Sequence, residues 1–145
     1  ITVEKSNLLL WFNLGITYRD RGDFRKAKEA FLYARKISPQ DEAVLEALAD
    51  LCISMKDFDE ALIYCDEGID FNSFNPHFWN LAGVIHFNLS DYANASTFFE
   101  YAVSMDSNYY DALYNLRDTY AELKNKAGYE ECCRALSRLR RGDNL

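Results

Sequence analysis

Residues 11–39 read Trp11-Phe12-Asn13-Leu14-Gly15-Ile16-Thr17-Tyr18-Arg19-Asp20-Arg21-Gly22-Asp23-Phe24-Arg25-Lys26-Ala27-Lys28-Glu29-Ala30-Phe31-Leu32-Tyr33-Ala34-Arg35-Lys36-Ile37-Ser38-Pro39. The large and small residues of this stretch recur along the chain at a fixed interval of 34. Trp11 is followed by Leu45, Trp79 and Leu113, and Leu14 by Leu48, Ala82 and Leu116. Tyr18 returns as Cys52, His86 and Tyr120. The small position Gly15 returns as Ala49 and Gly83, and then as Arg117. In the second half of the interval Ala27 returns as Ala61 and Ala95, Phe31 as Cys65 and Phe99, and Ala34 as Gly68 and Ala102. Between the halves Asp23-Phe24, Asp57-Phe58 and Asp91-Tyr92 recur in step. A period of this length marks a repeat architecture, in which each unit buries its apolar face against its neighbours.

Within each half the apolar residues fall at i, i+3 and i+7, which is one face of a helix. The pattern predicts two antiparallel helices per interval. First helices are expected at about 8–21, 42–55, 76–89 and 110–123, and second helices at about 24–37, 58–71, 92–105 and 129–141. Asp23, Asp57 and Asp91 stand where second helices begin, where a carboxylate caps free N–H groups and favours the positive end of the helix dipole. Pro39 follows the first unit's second helix, where a helix must stop. Gly15 with Ala27, and Gly83 with Ala95, are expected to let paired helices approach closely.

These residues resemble the tetratricopeptide repeat. The first unit, Trp11-x-x-Leu14-Gly15-x-x-Tyr18 with Ala27, Phe31, Ala34 and Pro39, matches every signature position. The third carries His86 at the tyrosine site and Ser107 at the proline site, and the second is degenerate at Cys52, Cys65 and Ser73. The resemblance implies an all-α, right-handed superhelical solenoid of about eight helices. Its repeats would span 8–41, 42–75, 76–109 and 110–143. In the fourth repeat the turn aromatic is read at Tyr129, three residues late, so an insertion is expected around Asn125–Ala127. Residues 1–7 align with 69–75 and 103–109, pairing Ile1 with Ile69 and Val103 and Val3 with Phe71 and Met105. They read as the tail of a preceding repeat; the alternative reading is an extension folded back on the first helix. The run Leu8-Leu9-Leu10-Trp11-Phe12 is apolar all round and asks for cover on more than one side. Self-association through this helix face is therefore a further expected contact.

The 145 residues suffice for one sizeable core, and 49% are apolar. A net charge of −7 argues against nucleic acid and anionic membranes as partners. No apolar run approaches the length of a membrane span. Cys52, Cys65, Cys132 and Cys133 show no metal-ligand spacing and read as free thiols in a reducing compartment, which points to the cytoplasm.

In the family, first helices line a concave groove that holds a peptide or a helix. The resemblance places Phe12, Asn13 and Ile16 there, then Glu46, Asp50 and Ile53. His77, Asn80, Val84 and Phe87 follow from the third repeat, and Tyr114, Asn115, Asp118 and Glu122 from the fourth. One subclass grips the acidic C-terminal tail of heat-shock chaperones with lysine, asparagine and arginine. The matching positions here are Phe12, Ile16, Ala47, His77 and Leu81, none with a fixed positive charge. Glu46, Asp50, Asp118 and Glu122 would repel such a tail. Asn13 and Asn115 match asparagines that hydrogen-bond a bound peptide backbone. The expected partner is a protein or peptide, apolar with basic character.

Other signals are weaker. Arg21-Gly22-Asp23 and Arg141-Gly142-Asp143 spell an adhesion tripeptide, but the first serves turn geometry and capping. His86 sits at a packing position. No catalytic set, phosphate loop or metal site is expected, nor any cofactor. The leading expectation is a non-catalytic adaptor or scaffold. The alternatives are a structural segment of a longer superhelix, or the targeting region of an enzyme whose catalytic part lies elsewhere.

Overall fold

A computed structural model describes residues 3–142, and among these every regular element is an α-helix. The helices are α1 (Val3–Asp20), α2 (Phe24–Ile37), α3 (Glu42–Ser54), α4 (Phe58–Phe71), α5 (Pro76–Asn88), α6 (Tyr92–Met105), α7 (Tyr110–Glu122) and α8 (Lys126–Arg141). The chain divides after Asn72 into two compact units. The first contains the hairpins α1–α2 and α3–α4, and the second contains α5–α6 and α7–α8.

The hairpin turns repeat one solution. A residue with positive φ ends each first helix, and an acid or amide caps the second. Gly22, Lys56, Ser90 and Lys124 have φ of 81°, 61°, 61° and 58°. Asp23, Asp57 and Asp91 accept from the backbone N–H of Lys26, Glu60 and Asn94, as the spacing predicts. Asn125 does the same for Gly128, at 3.0 Å. The four turns therefore stand 34 residues apart without exception, and no residue is inserted at 125–127. Asn125 is the fourth cap, an amide where the other turns use a carboxylate, and α8 begins at Lys126. Tyr129 occupies the position of Ala27, Ala61 and Ala95 and is not a displaced turn aromatic.

The first helix also differs from its expected start at residue 8. Val3 to Asp20 is one helix, because nothing in Glu4-Lys5-Ser6-Asn7 breaks it and Glu4 favours its N-terminal end. Ile1 and Thr2 of the expected preceding tail lie outside the described residues, as does Asp143 of the second Arg-Gly-Asp.

The core of each hairpin is set by size. Gly15 faces the ring of Phe31: a methyl carbon built there would lie 2.5 Å from Phe31 Cε1. Gly83 faces Phe99 with the same separation. Both rings are buried. The close approach makes room for the aromatic ring. Where the small position enlarges to Ala49 or Arg117, the aromatic position shrinks to Cys65 or Cys133. Trp11 stacks on Tyr33 at 4.6 Å, and His86 stacks on Phe98 at 5.0 Å beside Asp91.

In the first unit, charges also join the two second helices. Lys28 donates to Glu60 at 2.5 Å, and Arg35 places both oxygens of Glu67 within hydrogen-bond reach at 2.5 and 2.7 Å. The bond from Lys28 holds the Glu60 carboxyl below the usual range.

Gly83→Ala is expected to cost about 1–3 kcal/mol through overpacking against Phe99. Adding Phe99→Leu should recover part of that loss, as read by urea denaturation. Equal destabilisation with and without the second change would disprove the Gly83–Phe99 coupling.

Candidate functional site

The residues expected to form a groove come from first helices, and each unit presents its own set. In the second unit α5 and α7 lie side by side. Asn115 Nδ2 on α7 donates to Asn80 Oδ1 on α5 at 3.1 Å. Asn80 is only 7% exposed, so this bond satisfies a polar group that burial would otherwise penalise. Beside the pair lies a depression of about 70 Å³ lined by Val84, Phe87, Phe99, Asn115 and Asp118. Phe99 of this lining belongs to the core cluster of Ala95, Phe99, Leu116 and Cys132, against which Val84 and Phe87 pack. Phe87 meets Tyr92 edge-on at 5.2 Å. Phe87 therefore carries packing as well as surface, and it does not stand clear of the interhelix core as a groove residue would.

A further sequence expectation in this unit changes. Asp118 is bound by the neighbouring guanidinium, with Arg117 Nε and Nη2 at 3.2 and 3.0 Å from Oδ1. It is not the bare, repelling carboxylate that the sequence implies. Arg117 also lies over the Tyr114 ring at 4.3 Å, and Tyr114 lies near Tyr110, with ring centres 6.3 Å apart. This arginine stands at the small-residue position of the fourth repeat. In the sequence it is the large residue in the series Gly15, Ala49, Gly83, Arg117, and the Arg117-Asp118 adjacency was the available signal for the pair. His77 is exposed; its Nδ1 lies 2.8 Å from the Tyr109 hydroxyl, and the two rings meet edge-on. Glu122 is exposed at the end of α7.

In the first unit Phe12 is half-buried, its ring 5.7 Å from Phe31. Ile16, Glu46 and Ile53 are also half-buried, while Asn13 and Asp50 are exposed. Ala47 is buried. The structure thus brings Asn80, Val84, Phe87, Asn115 and Asp118 together. It places Phe12, Asn13 and Ile16 on α1, and Glu46, Asp50 and Ile53 on α3. A larger depression of about 650 Å³ lies along α2, lined by Glu29, Leu32, Tyr33, Arg35, Lys36 and Pro39. Sequence reading passed it over, since α2 contributes no first-helix position; Leu32 and Tyr33 amid charged neighbours were the available signal.

Among the described residues no group of three or more histidine, cysteine or acidic side chains is placed to hold a metal ion. No described helix is long and apolar enough to cross a membrane. All four cysteines are free. Burial raises the thiol pKa of Cys52 and Cys132 to about 11 and that of Cys65 to about 12.

Comparison with known proteins follows the helix pairs. Family models described as tetratricopeptide repeat match residues 18–85 and 76–109. The chain belongs to the tetratricopeptide repeat family. Its sequence is 34% identical over 100 residues to the protein ycf37 of Pyropia yezoensis, a match covering 63% of this chain and 54% of that one. The chain thus spans about half the length of this curated relative. Among solved structures, MamA residues 41 to the end from Desulfovibrio magneticus RS-1 superposes with a TM-score of 0.81 at 15% identity, covering 97% of this chain and 80% of that one. The first repeat domain of Spaghetti (RPAP3), bound to the HSP90 peptide SRMEEVD, superposes with a TM-score of 0.76 at 18% identity, covering 82% and 94%. At these identities the likeness carries the fold alone.

Two outcomes are expected from this geometry. Asn80→Ala should destabilise by about 1–3 kcal/mol, because the Asn115 amide loses its partner. A double-mutant cycle with Asn115→Ala should return a coupling near 1 kcal/mol; additivity would show the bond contributes nothing. Alkylation of the native chain at neutral pH should modify half-exposed Cys133 first and leave Cys52, Cys65 and Cys132 as thiols, as peptide mapping would reveal.

Proposed function

We propose that this chain is a non-catalytic interaction module that holds a peptide or partner protein on the faces built by its first helices. The observation that carries the proposal is the α5–α7 surface of the second unit. There an apolar depression lined by Val84, Phe87 and Phe99 sits beside the Asn80–Asn115 amides. This combination offers an anchor for an apolar side chain and fixed polar groups for a peptide backbone. At about 70 Å³ the depression takes a small or medium anchor rather than an indole. Tyr110 and Tyr114 extend the surface with exposed rings.

The partner is apolar with basic character. Asp50 and Glu122 are exposed carboxylates, with half-buried Glu46 one helical turn before Asp50. Such charges act mainly on encounter rate and specificity, while buried aromatic contacts set most of the affinity. With a net charge of −7, neither nucleic acid nor an anionic membrane is a partner, and a reducing, cytoplasmic setting fits four free thiols. The acidic peptide held by the Spaghetti domain is not a ligand here. The positions that would clamp it carry Phe12, Ile16, Ala47, His77 and Leu81.

A second reading, assembly through the first helix, draws support from Leu9 and Leu10, which are 60% and 61% exposed on α1, and from Val3 near its start. Leu8 and Phe12, expected to share that face, are half-buried.

Calorimetry with the peptide SRMEEVD should show no micromolar binding; saturable binding would remove the charge argument. Against a partner captured with the full chain, Glu46→Lys with Asp50→Lys should slow association and flatten its salt dependence. Phe87→Ala should speed dissociation. Because Phe87 also packs on Tyr92, its melting temperature is measured alongside. If both variants are folded and bind normally, the first-helix faces are not the binding surface.

A further inference from the structure

Helix α8 runs against the charge of the chain. From Cys132 to Arg141 it carries four arginines and no carboxylate, in a protein of net charge −7. Arg134, Arg138 and Arg141 fall at i, i+4 and i+7, so they share one face. With Cys133 and Ser137 they line a depression of about 380 Å³. Among the described residues, no carboxylate pairs with Arg134 or Arg138. Glu130 stands one turn before Arg134 at the head of the same face.

The molecule shows what such a face accepts. In the first unit, Lys28 and Arg35, seven residues apart on α2, grip Glu60 and Glu67, seven residues apart on α4. The two helices run in the same direction, since both contacts advance together along the chain. Cations on a second helix are thus matched by anions at equal spacing on another. Arg134 and Arg141 repeat that seven-residue spacing.

A complementary face exists on α4, on the side that α2 leaves uncovered. Asp59, Ile63, Asp66 and Asp70 fall at i, i+4, i+7 and i+11, and all four are exposed, Ile63 by 56%. Asp59 and Asp66 have the same separation as Arg134 and Arg141. Ile63 supplies an apolar centre between the acids.

We propose that the arginine face of α8 docks on the acidic face of α4 of a second copy of this chain, reproducing between molecules the ladder that α2 and α4 form within one. The contact is heterologous, because it uses a different surface on each copy. It leaves one free face of each kind, so it propagates rather than closing as a two-fold dimer. A compact acidic helix suits this face better than an extended polyanion. The arginines cover only two turns, and fields beyond about 8 Å are screened at physiological salt. A long polyanion would meet the rest of an acidic molecule.

The test is sedimentation velocity on the full chain across a wide concentration range. At low salt the expected result is a concentration-dependent series of species larger than a dimer, lost at about 1 M salt, where screening acts within about 3 Å. Arg134→Glu with Arg138→Glu should abolish the series. So should Asp66→Arg with Asp70→Arg, whose new cations sit at the C-terminal end of α4 where the helix tolerates them. Circular dichroism checks that each variant is folded. Mixing the two variants should restore association as far as a dimer, because the unaltered α8 of one variant still meets the unaltered α4 of the other. A chain that stays monomeric at low salt overturns the proposal. So does association that survives both charge reversals, which would place the contact on the apolar face of α1. Capture of an acidic peptide or of phosphatidylserine vesicles through Arg134 by a chain that does not self-associate would assign the face to another partner.

Discussion

A glycine pressed against a phenylalanine ring holds each well-formed hairpin of this protein at its spacing. At Gly15 and Gly83 the absence of a side chain lets a first helix rest on the ring of Phe31 or Phe99. Once that distance is set, the buried alanines of the second helix, Ala27 and Ala34 or Ala95 and Ala102, have no space left to fill. Interiors pack close to crystal density, so such a contact transmits size changes directly. The degenerate hairpins obey the same rule with the sizes redistributed: alanine against cysteine at Ala49 and Cys65, and arginine opposite cysteine at Arg117 and Cys133. Degeneracy in the signature thus follows the same size pattern, with Arg117 at the small position and Cys133 at the aromatic one.

That size pattern separates what the sequence discloses from what it hides. Helix type and pairing were legible because a 34-residue period repeats both the apolar face and the capping aspartates. The fourth turn was misread because an aromatic, Tyr129, drew the register three residues late. The reliable mark was the cap, and Asn125 performs it with an amide in place of a carboxylate. The left-handed residue preceding each cap was similarly masked, since only Gly22 advertises its conformation while Lys56, Ser90 and Lys124 adopt it against their preference.

The candidate surface was legible as a set of positions and less so as chemistry. Asn115 could be picked out as a polar first-helix residue, yet its hydrogen bond to Asn80 joins α5 to α7, and no local pattern announces a contact 35 residues away. Charges were counted one by one, so Asp118 read as a repulsive carboxylate until the Arg117 guanidinium beside it came into view. Phe87 was placed in the groove by resemblance to the family. It contributes to both surface and core because it lines the depression and also packs against the core cluster. A binding surface of this kind is coupled to stability, and ligand contacts and folding contacts share the same rings.

Charge in this molecule is distributed by use. Where a second helix has a charged neighbour within its unit, cations and anions are matched at equal spacing, as Lys28 and Arg35 are by Glu60 and Glu67. Partly buried pairs of this kind fix the register of two helices more than they add stability, since desolvation offsets much of their attraction. Where a second helix has a free outer side, as α4 and α8 do, like charges gather along one line instead. Like charges three or four residues apart cost a helix a few tenths of a kcal/mol each when left alone. A stripe that concentrates them on one face keeps that cost small while presenting a field to whatever approaches. The seven-residue spacing that aligns helices inside the first unit recurs on the outer faces, acidic on α4 and basic on α8.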